Sequence, residues 1–253
     1  MKSTVTYPEG NVLLRSLTKA LPVIERGDGI YLFDKAGKRY VDASSGALVV
    51  SVGHGNANVA EAMRAQLSRV GYVNGTHFTS EATETLATKL ATLAAAEIPA
   101  AGLSRAAFLC SGSEAVEAAA KFARQLWVER GQPQRTKIIA RSPGYHGNTL
   151  YALSLSARPA YRKVYGPMLA TVPMVSSPYP YRSPVADFAN DGAEFYAREL
   201  EALLEKEGPQ TVAAFIAEPV VGSSAGASVP PPGYFARIRE VCAKHGVLLI
   251  ADE

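Results

Sequence analysis

Two continuous apolar runs restrict the fold of this chain more than any other feature of its sequence. Val212–Ala217 and Val247–Ala251 contain no polar side chain. Strands that are apolar on both faces are typical of parallel sheets that helices cover on both sides. An acid follows each run, Glu218 after the first and Asp252 after the second. The chain is therefore predicted to be α/β, with a mainly parallel sheet and carboxylates at the sheet's carboxyl edge.

Composition excludes several classes of protein. The 253 residues are 47% hydrophobic, enough for a sizeable core, and the net charge of +3 comes without a basic stripe for nucleic acid. Cys110 and Cys242 have neither CxxC spacing nor a histidine cluster, so we expect no metal site and a reducing compartment. The sequence has no signal-peptide core and no apolar stretch of about 18 residues, which predicts a cytoplasmic protein without a membrane contact.

A candidate anion site lies at the start of a long predicted helix. The apolar run Ala106–Cys110 reads as a strand that ends at the turn Ser111–Ser113. Ser111 is the predicted N-cap, and Glu114 completes a capping box. Glu117 and Lys121 have the spacing of a helical ion pair. Free N–H groups at a helix N-terminus bind phosphate, although the junction could also be simply a well-capped helix start.

The remaining pattern predicts further helices, a hairpin and an irregular segment. The hairpin lies within Gly29–Asp42, and His54 is read as a loop histidine. Met168–Phe188 carries four prolines and is predicted to be a long irregular loop. Four further helices are predicted. The first follows Gly55, and the second begins at a Thr79 or Ser80 cap. The third runs from an Asp191 cap to Glu207, and the fourth spans Tyr234–His245.

Two loops are candidates for a functional role. The strand Lys137–Ala140 leads into a glycine-bounded loop that contains Tyr145 and His146, where open α/β sheets bind ligands, and an ordinary surface turn is the alternative. Gly222–Gly226 matches the G-x-S-x-G pattern of a nucleophile elbow. That motif needs a helix directly after its serine, and the prolines that follow exclude one, so the segment is predicted to be a flexible loop.

These features suit one kind of ligand. A phosphate cup, an aromatic side chain to stack on a flat ring and an isolated acid to pair with a ring cation fit a phosphorylated aromatic heterocycle. Pyridoxal phosphate is such a ligand, and its ring nitrogen must be protonated if the ring is to act as an electron sink.

The ordered motifs of the chain closely resemble those of the class III (subgroup II) aminotransferases of pyridoxal phosphate fold type I. The matching residues are Asp42, Gly46, Gly53-His54, Ser111-Gly112-Ser113-Glu114-Ala115, Tyr145-His146-Gly147, Glu218-Pro219, Pro231-Pro232-Gly233-Tyr234 and Leu249-Ile250-Ala251-Asp252-Glu253. The resemblance implies an incomplete fold of that type. Residues 1–52 would be an N-terminal arm and hairpin belonging to a small α+β domain, and residues 53–253 would be most of the large cofactor-binding domain.

The resemblance also implies the roles of the site residues. The turn Ser111, Gly112 and Ser113 would hold the phosphate. Tyr145 would stack on the ring with support from His146, Glu218 would lie near the ring hydroxyl, and Asp252 would pair with the ring nitrogen.

The chain departs from the family pattern in one respect. The Schiff-base lysine of the family lies beyond the aspartate strand, so the catalytic lysine is expected to be absent from these residues. The implied activity is amino transfer between a small-molecule amino donor and a keto acid acceptor by a homodimer. An aminomutase of the same fold, a catalytically inactive remnant and an unrelated α/β phosphate-binding enzyme remain as alternatives.

Overall fold

The computed structural model of the protein describes residues 3–14 and 16–253. The chain forms two compact units, which divide after Arg105. The domain boundary predicted at residues 52–53 refers to the complete family fold and stays a prediction.

The described residues of the first unit form two small antiparallel sheets, two regular helices and one short irregular helix, Ser45–Leu48. Its elements are β1 (Thr4–Val5), β2 (Leu21–Pro22), β3 (Ile24–Asp28), β4 (Tyr31–Asp34), β5 (Arg39–Val41), α1 (Ser45–Leu48), α2 (Ala57–Arg69), α3 (Glu81–Glu97) and a 3₁₀ turn at Pro99–Ala101. The strands β4 and β5 confirm the predicted hairpin. The sequence analysis missed β3, which pairs with β4 and widens the hairpin to three strands.

Side chains fix the loops and helix starts of this unit. Ser80 is the N-cap of α3, and its hydroxyl accepts the Thr83 N–H at 3.3 Å. His54 lies in a loop as predicted, but its Nε2 also contacts the Asp42 carboxylate at 2.9 Å. This hydrogen bond, followed by one from the Gly46 N–H, lowers the pKa of Asp42. The two motif residues thus tie the end of the hairpin to the loop before α2.

The second unit is built on a four-stranded parallel sheet in the order β7-β6-β8-β9. Its elements are α4 (Gly112–Glu129), β6 (Lys137–Ser142), α5 (Leu150–Leu155), α6 (Pro159–Tyr165), β7 (Met174–Ser176), α7 (Phe188–Glu207), β8 (Val212–Ala217), α8 (Tyr234–Lys244), β9 (Leu248–Ala251) and 3₁₀ turns at Gly166–Met168, Pro180–Arg182 and Pro209–Thr211. All strand pairs run parallel, so their carboxyl ends meet at one edge.

Both faces of this sheet are buried, as the apolar runs predict. Successive residues of β8 point to opposite sides: Phe215 packs with α7 and α8, and Ile216 packs with α4 and α5. Every residue of β8 is buried. The indole N–H of Trp127 on α4 donates to the Ala213 carbonyl at 2.9 Å, which fixes that helix on the sheet. The central strand therefore holds both helical layers.

Three predicted elements differ in the structure. Ala106–Cys110 forms no strand, because no described segment pairs with it, and Phe108 is 44% exposed. The helix α7 begins at Phe188 rather than after Asp191, because the Asp187 carboxylate accepts the Asn190 N–H at 3.2 Å and caps it. Met168–Phe188 is not entirely irregular: β7 lies within it and pairs with β6.

The strand β9 is less buried than its sequence predicts. It pairs with β8 along one edge only, so Leu248, Leu249 and Ile250 are half-buried. With the α4 side chains Phe122 and Leu126 they line an apolar groove of about 550 Å³.

No helix in residues 3–14 and 16–253 has the length and apolar composition that a bilayer crossing requires. The same residues contain no group of three or more histidine, cysteine and acidic side chains that could hold a metal ion.

The two free cysteines should differ sharply in reactivity. Cys110 is exposed, whereas Cys242 is buried in α8 and burial raises its pKa to about 12. Since the thiolate is the reactive form, N-ethylmaleimide at pH 8 should label Cys110 rapidly and leave Cys242 unmodified in the native protein. Peptide mass spectrometry measures both rates, with a urea-unfolded sample as the control in which both react. Equal labelling in the native protein would contradict the described packing of α8.

Candidate functional site

The loop after β6 brings Tyr145 and His146 to the carboxyl edge of the sheet. The backbone N–H of His146 donates to the Ser156 hydroxyl at 2.8 Å, and that hydroxyl donates to the Ala152 carbonyl. His146 is buried, whereas Tyr145 is half-buried. Hydrogen bonds to the end of α5 therefore hold the loop, and the tyrosine ring stays partly exposed.

His146 and Asp252 contact each other directly. The distance between His146 Nδ1 and Asp252 Oδ2 is 2.7 Å, and the imidazole is fully buried. Since an ionised carboxylate only accepts hydrogen bonds, Nδ1 is the donor of this contact when Asp252 is ionised. Nε2 is buried without a hydrogen-bond partner in the part of the chain that the structure describes. The resemblance assigned His146 to the support of Tyr145, and in the structure its ring supports Asp252.

Asp252 is fixed by the sheet. Its backbone N–H donates to the Ala217 carbonyl at 3.0 Å, which extends the pairing of β9 with β8 by one residue. Its side chain is 23% exposed. Within residues 3–14 and 16–253, Oδ1 has no hydrogen-bond partner, so one oxygen is available to a ligand.

Glu218 has a different environment from Asp252. One carboxylate oxygen accepts the Tyr145 N–H at 3.3 Å, and the other accepts the Gly222 N–H at 3.1 Å. The residue is buried at the end of β8. Its carboxylate therefore holds together the loop after β6 and the loop after β8.

Sequence reasoning missed Arg141. This residue lies in β6, is fully buried, and donates from Nη2 to the Glu218 carbonyl. Nη1 is 3.5 Å from the Tyr234 hydroxyl, whose pKa is raised by burial and partly lowered again by the guanidinium. An arginine directly after the apolar stretch Ile138–Ala140, still within the strand, was the available signal. Arg141 thus stabilises the backbone from which the Glu218 side chain starts.

The N-terminus of α4 faces the loop after β6. Ser111 is the N-cap as predicted, and its hydroxyl accepts the Glu114 N–H at 3.2 Å. Glu114 reaches back to the Cys110 N–H at 2.9 Å, one residue earlier than the predicted capping box requires. The hydroxyl of Ser113 accepts the Asn148 N–H at 2.9 Å. Apart from its chain neighbours and the backbone of its own helix, no described atom lies within 4 Å of the place where a Cβ on Gly112 would be, so the space beside the helix start is open.

Glu117 has a role that its spacing did not predict. Its carboxylate accepts the Thr149 hydroxyl at 2.6 Å and the Ala152 N–H at 3.3 Å, rather than pairing with Lys121. Burial raises the pKa of the neighbouring Tyr151 hydroxyl, and the negative charge of the Glu117 carboxylate raises it further. Glu117 therefore ties α4 to the start of α5.

Two lysines of the second unit pair with acids on α7. Lys137 begins β6 at the opposite edge of the sheet and donates to the Glu207 carboxylate at 2.8 Å. Lys244 pairs with Glu201 at 2.6 Å. No lysine in residues 3–253 forms a hydrogen bond or an ion pair with Tyr145, His146, Glu218 or Asp252.

The segment Gly222–Gly226 is a turn, and no helix follows Ser224. This confirms that the G-x-S-x-G match is not a nucleophile elbow. Its two serines instead contact Arg158.

The chain is similar in sequence to known aminotransferases. Residues 14–253 match the family described as "Aminotransferase class-III". The chain is 40% identical over 240 residues to the "Uncharacterized aminotransferase YodT" of Bacillus subtilis, covering 94% of this chain and 52% of that protein. It is 35% identical to the beta-alanine–pyruvate aminotransferase of Pseudomonas aeruginosa, again covering 94% and 52%. The chain thus spans about half the length of the curated relatives it matches.

Solved structures give the same result. An (S)-enantioselective omega-transaminase from Thermomicrobium roseum aligns with a TM-score of 0.84 at 40% identity, covering 90% of this chain and 50% of that one. The omega transaminase of Pseudomonas jessenii in complex with PMP aligns with a TM-score of 0.86 at 33% identity, covering 95% and 54%.

The contact between Gly147 and α4 yields a stability prediction. Gly147 has a φ of +140°, and a Cβ there would lie 2.7 Å from the Ser113 hydroxyl and 2.8 Å from the Ala152 Cβ. Gly147→Ala should therefore lower the free energy of unfolding by about 1–3 kcal/mol through overpacking. Urea unfolding measures this loss.

Gly131→Ala is the matched control. Gly131 also has a positive φ, +70°, but apart from its chain neighbours no described atom lies within 4 Å of its Cβ position. It should lose only the backbone strain of about 1 kcal/mol. Equal losses in the two variants would show that Gly147 does not pack against α4.

Proposed function

The chain belongs to the class-III aminotransferase family, and from this premise we propose that the protein transfers an amino group with the help of pyridoxal phosphate. The donor is an amino acid or amine, and the acceptor is a keto acid or aldehyde. One observation carries the proposal: Tyr145, His146, Glu218 and Asp252 meet at the sheet edge beside the open N-terminus of α4.

The predicted fold class is confirmed. The solved structures similar to this chain are pyridoxal-phosphate-dependent transaminases of fold type I, and the parallel sheet with helices on both faces agrees with them.

The residues at this edge fit the cofactor. Asp252 has one unpartnered carboxylate oxygen for a ring cation, as far as the described residues extend. The helix α4 presents unpaired N–H groups and the positive end of its dipole beside Gly112, where the space is open to a phosphate. The Ser113 hydroxyl accepts a hydrogen bond and keeps its own proton to donate.

Each of these residues would have a separate role toward bound pyridoxal phosphate. Bound pyridoxal phosphate supplies an electron sink for charge that develops on the substrate. Asp252 would hold the proton on the ring nitrogen, and His146 would keep that carboxylate oriented through their direct contact. Tyr145 would cover one face of the ring. Glu218 would hold the Tyr145 loop in place through its two backbone hydrogen bonds.

The catalytic lysine and the homodimer remain proposals. A second copy would cover apolar side chains that are exposed here. Among these are Leu13 at 84%, Leu48 at 82% and Val49 at 77% exposure.

Asp252→Asn tests the proposed function. The amide cannot form the charge-assisted hydrogen bond to a protonated ring nitrogen, a loss of about 1.5–3 kcal/mol. The dissociation constant for pyridoxal phosphate should rise about 10- to 150-fold, as measured by a spectroscopic titration.

Glu253→Gln is the matched control, since it removes a charge at the neighbouring exposed position. It should bind pyridoxal phosphate as the unaltered protein does. If the unaltered protein binds no pyridoxal phosphate, or if both variants bind it equally well, the proposed function is wrong.

A further inference from the structure

A cavity of about 380 Å³ lies between α4 and the sheet, and all the residues that line it belong to the second unit. Its floor is apolar and consists of Ala120 on α4, Ile138 on β6 and Ala213 on β8. Ile138 and Ala213 are each the second residue of their strand. The floor therefore lies toward the amino ends of the strands, whereas Tyr145 and Asp252 lie at the carboxyl ends.

Two cations without acidic partners line this cavity, Lys121 and Arg124. The helical spacing of Lys121 offers it Glu117, but the Glu117 carboxylate instead accepts the Thr149 hydroxyl and the Ala152 N–H. Among the residues that the structure describes, neither Lys121 nor Arg124 forms a hydrogen bond or an ion pair. The cavity thus carries positive charge that the folded chain does not compensate.

The guanidinium of Arg124 is only partly in contact with water. The residue is half-buried, and its Nη1 is buried without a hydrogen-bond partner in the described part of the chain. A charged donor that is removed from water and left unpaired lowers the stability of the folded protein. Arg198 and Arg237 differ, because both pair with Glu194. An anion bound in the cavity would supply the partner that Arg124 lacks.

We propose that this cavity is a second ligand site, which binds a small monocarboxylic acid with an apolar body. Two cations and the one carboxylate of Glu117 line it, so their net charge of +1 matches a singly charged anion. Arg124 and Lys121 bind the carboxylate through charge-assisted hydrogen bonds. The apolar floor and the ring of Tyr151 cover the rest of the molecule, as in other ligand pockets with a few polar groups on apolar walls.

The test compares an acid with its neutral isostere. Calorimetry at low salt measures the binding of 4-phenylbutyrate, 4-phenylbutyramide and acetate to the unaltered protein, Arg124→Gln, Lys121→Gln and the control Arg198→Gln. The unaltered protein and the control should bind 4-phenylbutyrate about tenfold or more tightly than the other two compounds, because only this acid has both the charge and the apolar body. Arg124→Gln should lose the preference over the amide, and Lys121→Gln should reduce it. Circular dichroism verifies that each variant is folded.

A titration in saturating pyridoxal phosphate separates this site from the edge of the sheet. The affinity for 4-phenylbutyrate should not change there, and displacement of the acid by the cofactor would overturn the inference. It is also overturned if the unaltered protein binds the amide or acetate as tightly as the acid, or if folded Arg124→Gln keeps the preference. Should Arg124→Gln not fold, an undiminished preference in Lys121→Gln overturns it. Failure of the unaltered protein to bind pyridoxal phosphate, with the preference for the acid intact, contradicts the proposed function alone.

Discussion

The parallel pairing of β8 with both of its neighbours is the constraint on which the site depends. Because β6, β8 and β9 run in the same direction, the residues that follow them emerge at one edge. The last bond of this ladder, from the Asp252 N–H to the Ala217 carbonyl, sets the carboxylate against His146. A change of register by one residue would turn Asp252 to the other face of the sheet and separate it from the imidazole.

The two acids at this edge have different tasks because their surroundings differ. Both oxygens of Glu218 accept backbone N–H groups from two loops, so its role is to fix the shape of the site. Asp252 is more exposed and uses one oxygen, which leaves the other for a ligand. Arg141 and Arg158 also contrast: Arg141 is buried and donates to the Glu218 carbonyl, whereas Arg158 is half-buried and donates to the hydroxyls of Ser223 and Ser224. As far as the described residues extend, the site thus combines a hydrogen-bonded frame with one carboxylate oxygen of Asp252 that has no partner.

The sequence predicted the elements whose signal is local and missed those that depend on a neighbour. The predicted bounds of the strand Val212–Ala217 agree with the structure, because a strand buried on both faces has an unbroken apolar sequence. The strand Met174–Ser176 is only three residues long and depends on its pairing with β6, so no sequence pattern predicts it. Ala106–Cys110 has the pattern of a strand but no partner among the described residues. The contact between His146 and Asp252 joins residues 106 positions apart, which spacing cannot reveal.

Nitrogen NMR of bound pyridoxal phosphate would test the central claim, that the sheet edge holds the ring nitrogen against Asp252. The cofactor, labelled with ¹⁵N in its ring, is bound to the protein and its spectrum is recorded between pH 6 and pH 9. If Asp252 holds the ring nitrogen, the nitrogen should stay protonated throughout this range, and its signal should shift to the unprotonated one in Asp252→Asn. An unprotonated ring nitrogen in the unaltered protein, or a spectrum that the substitution does not change, would contradict it.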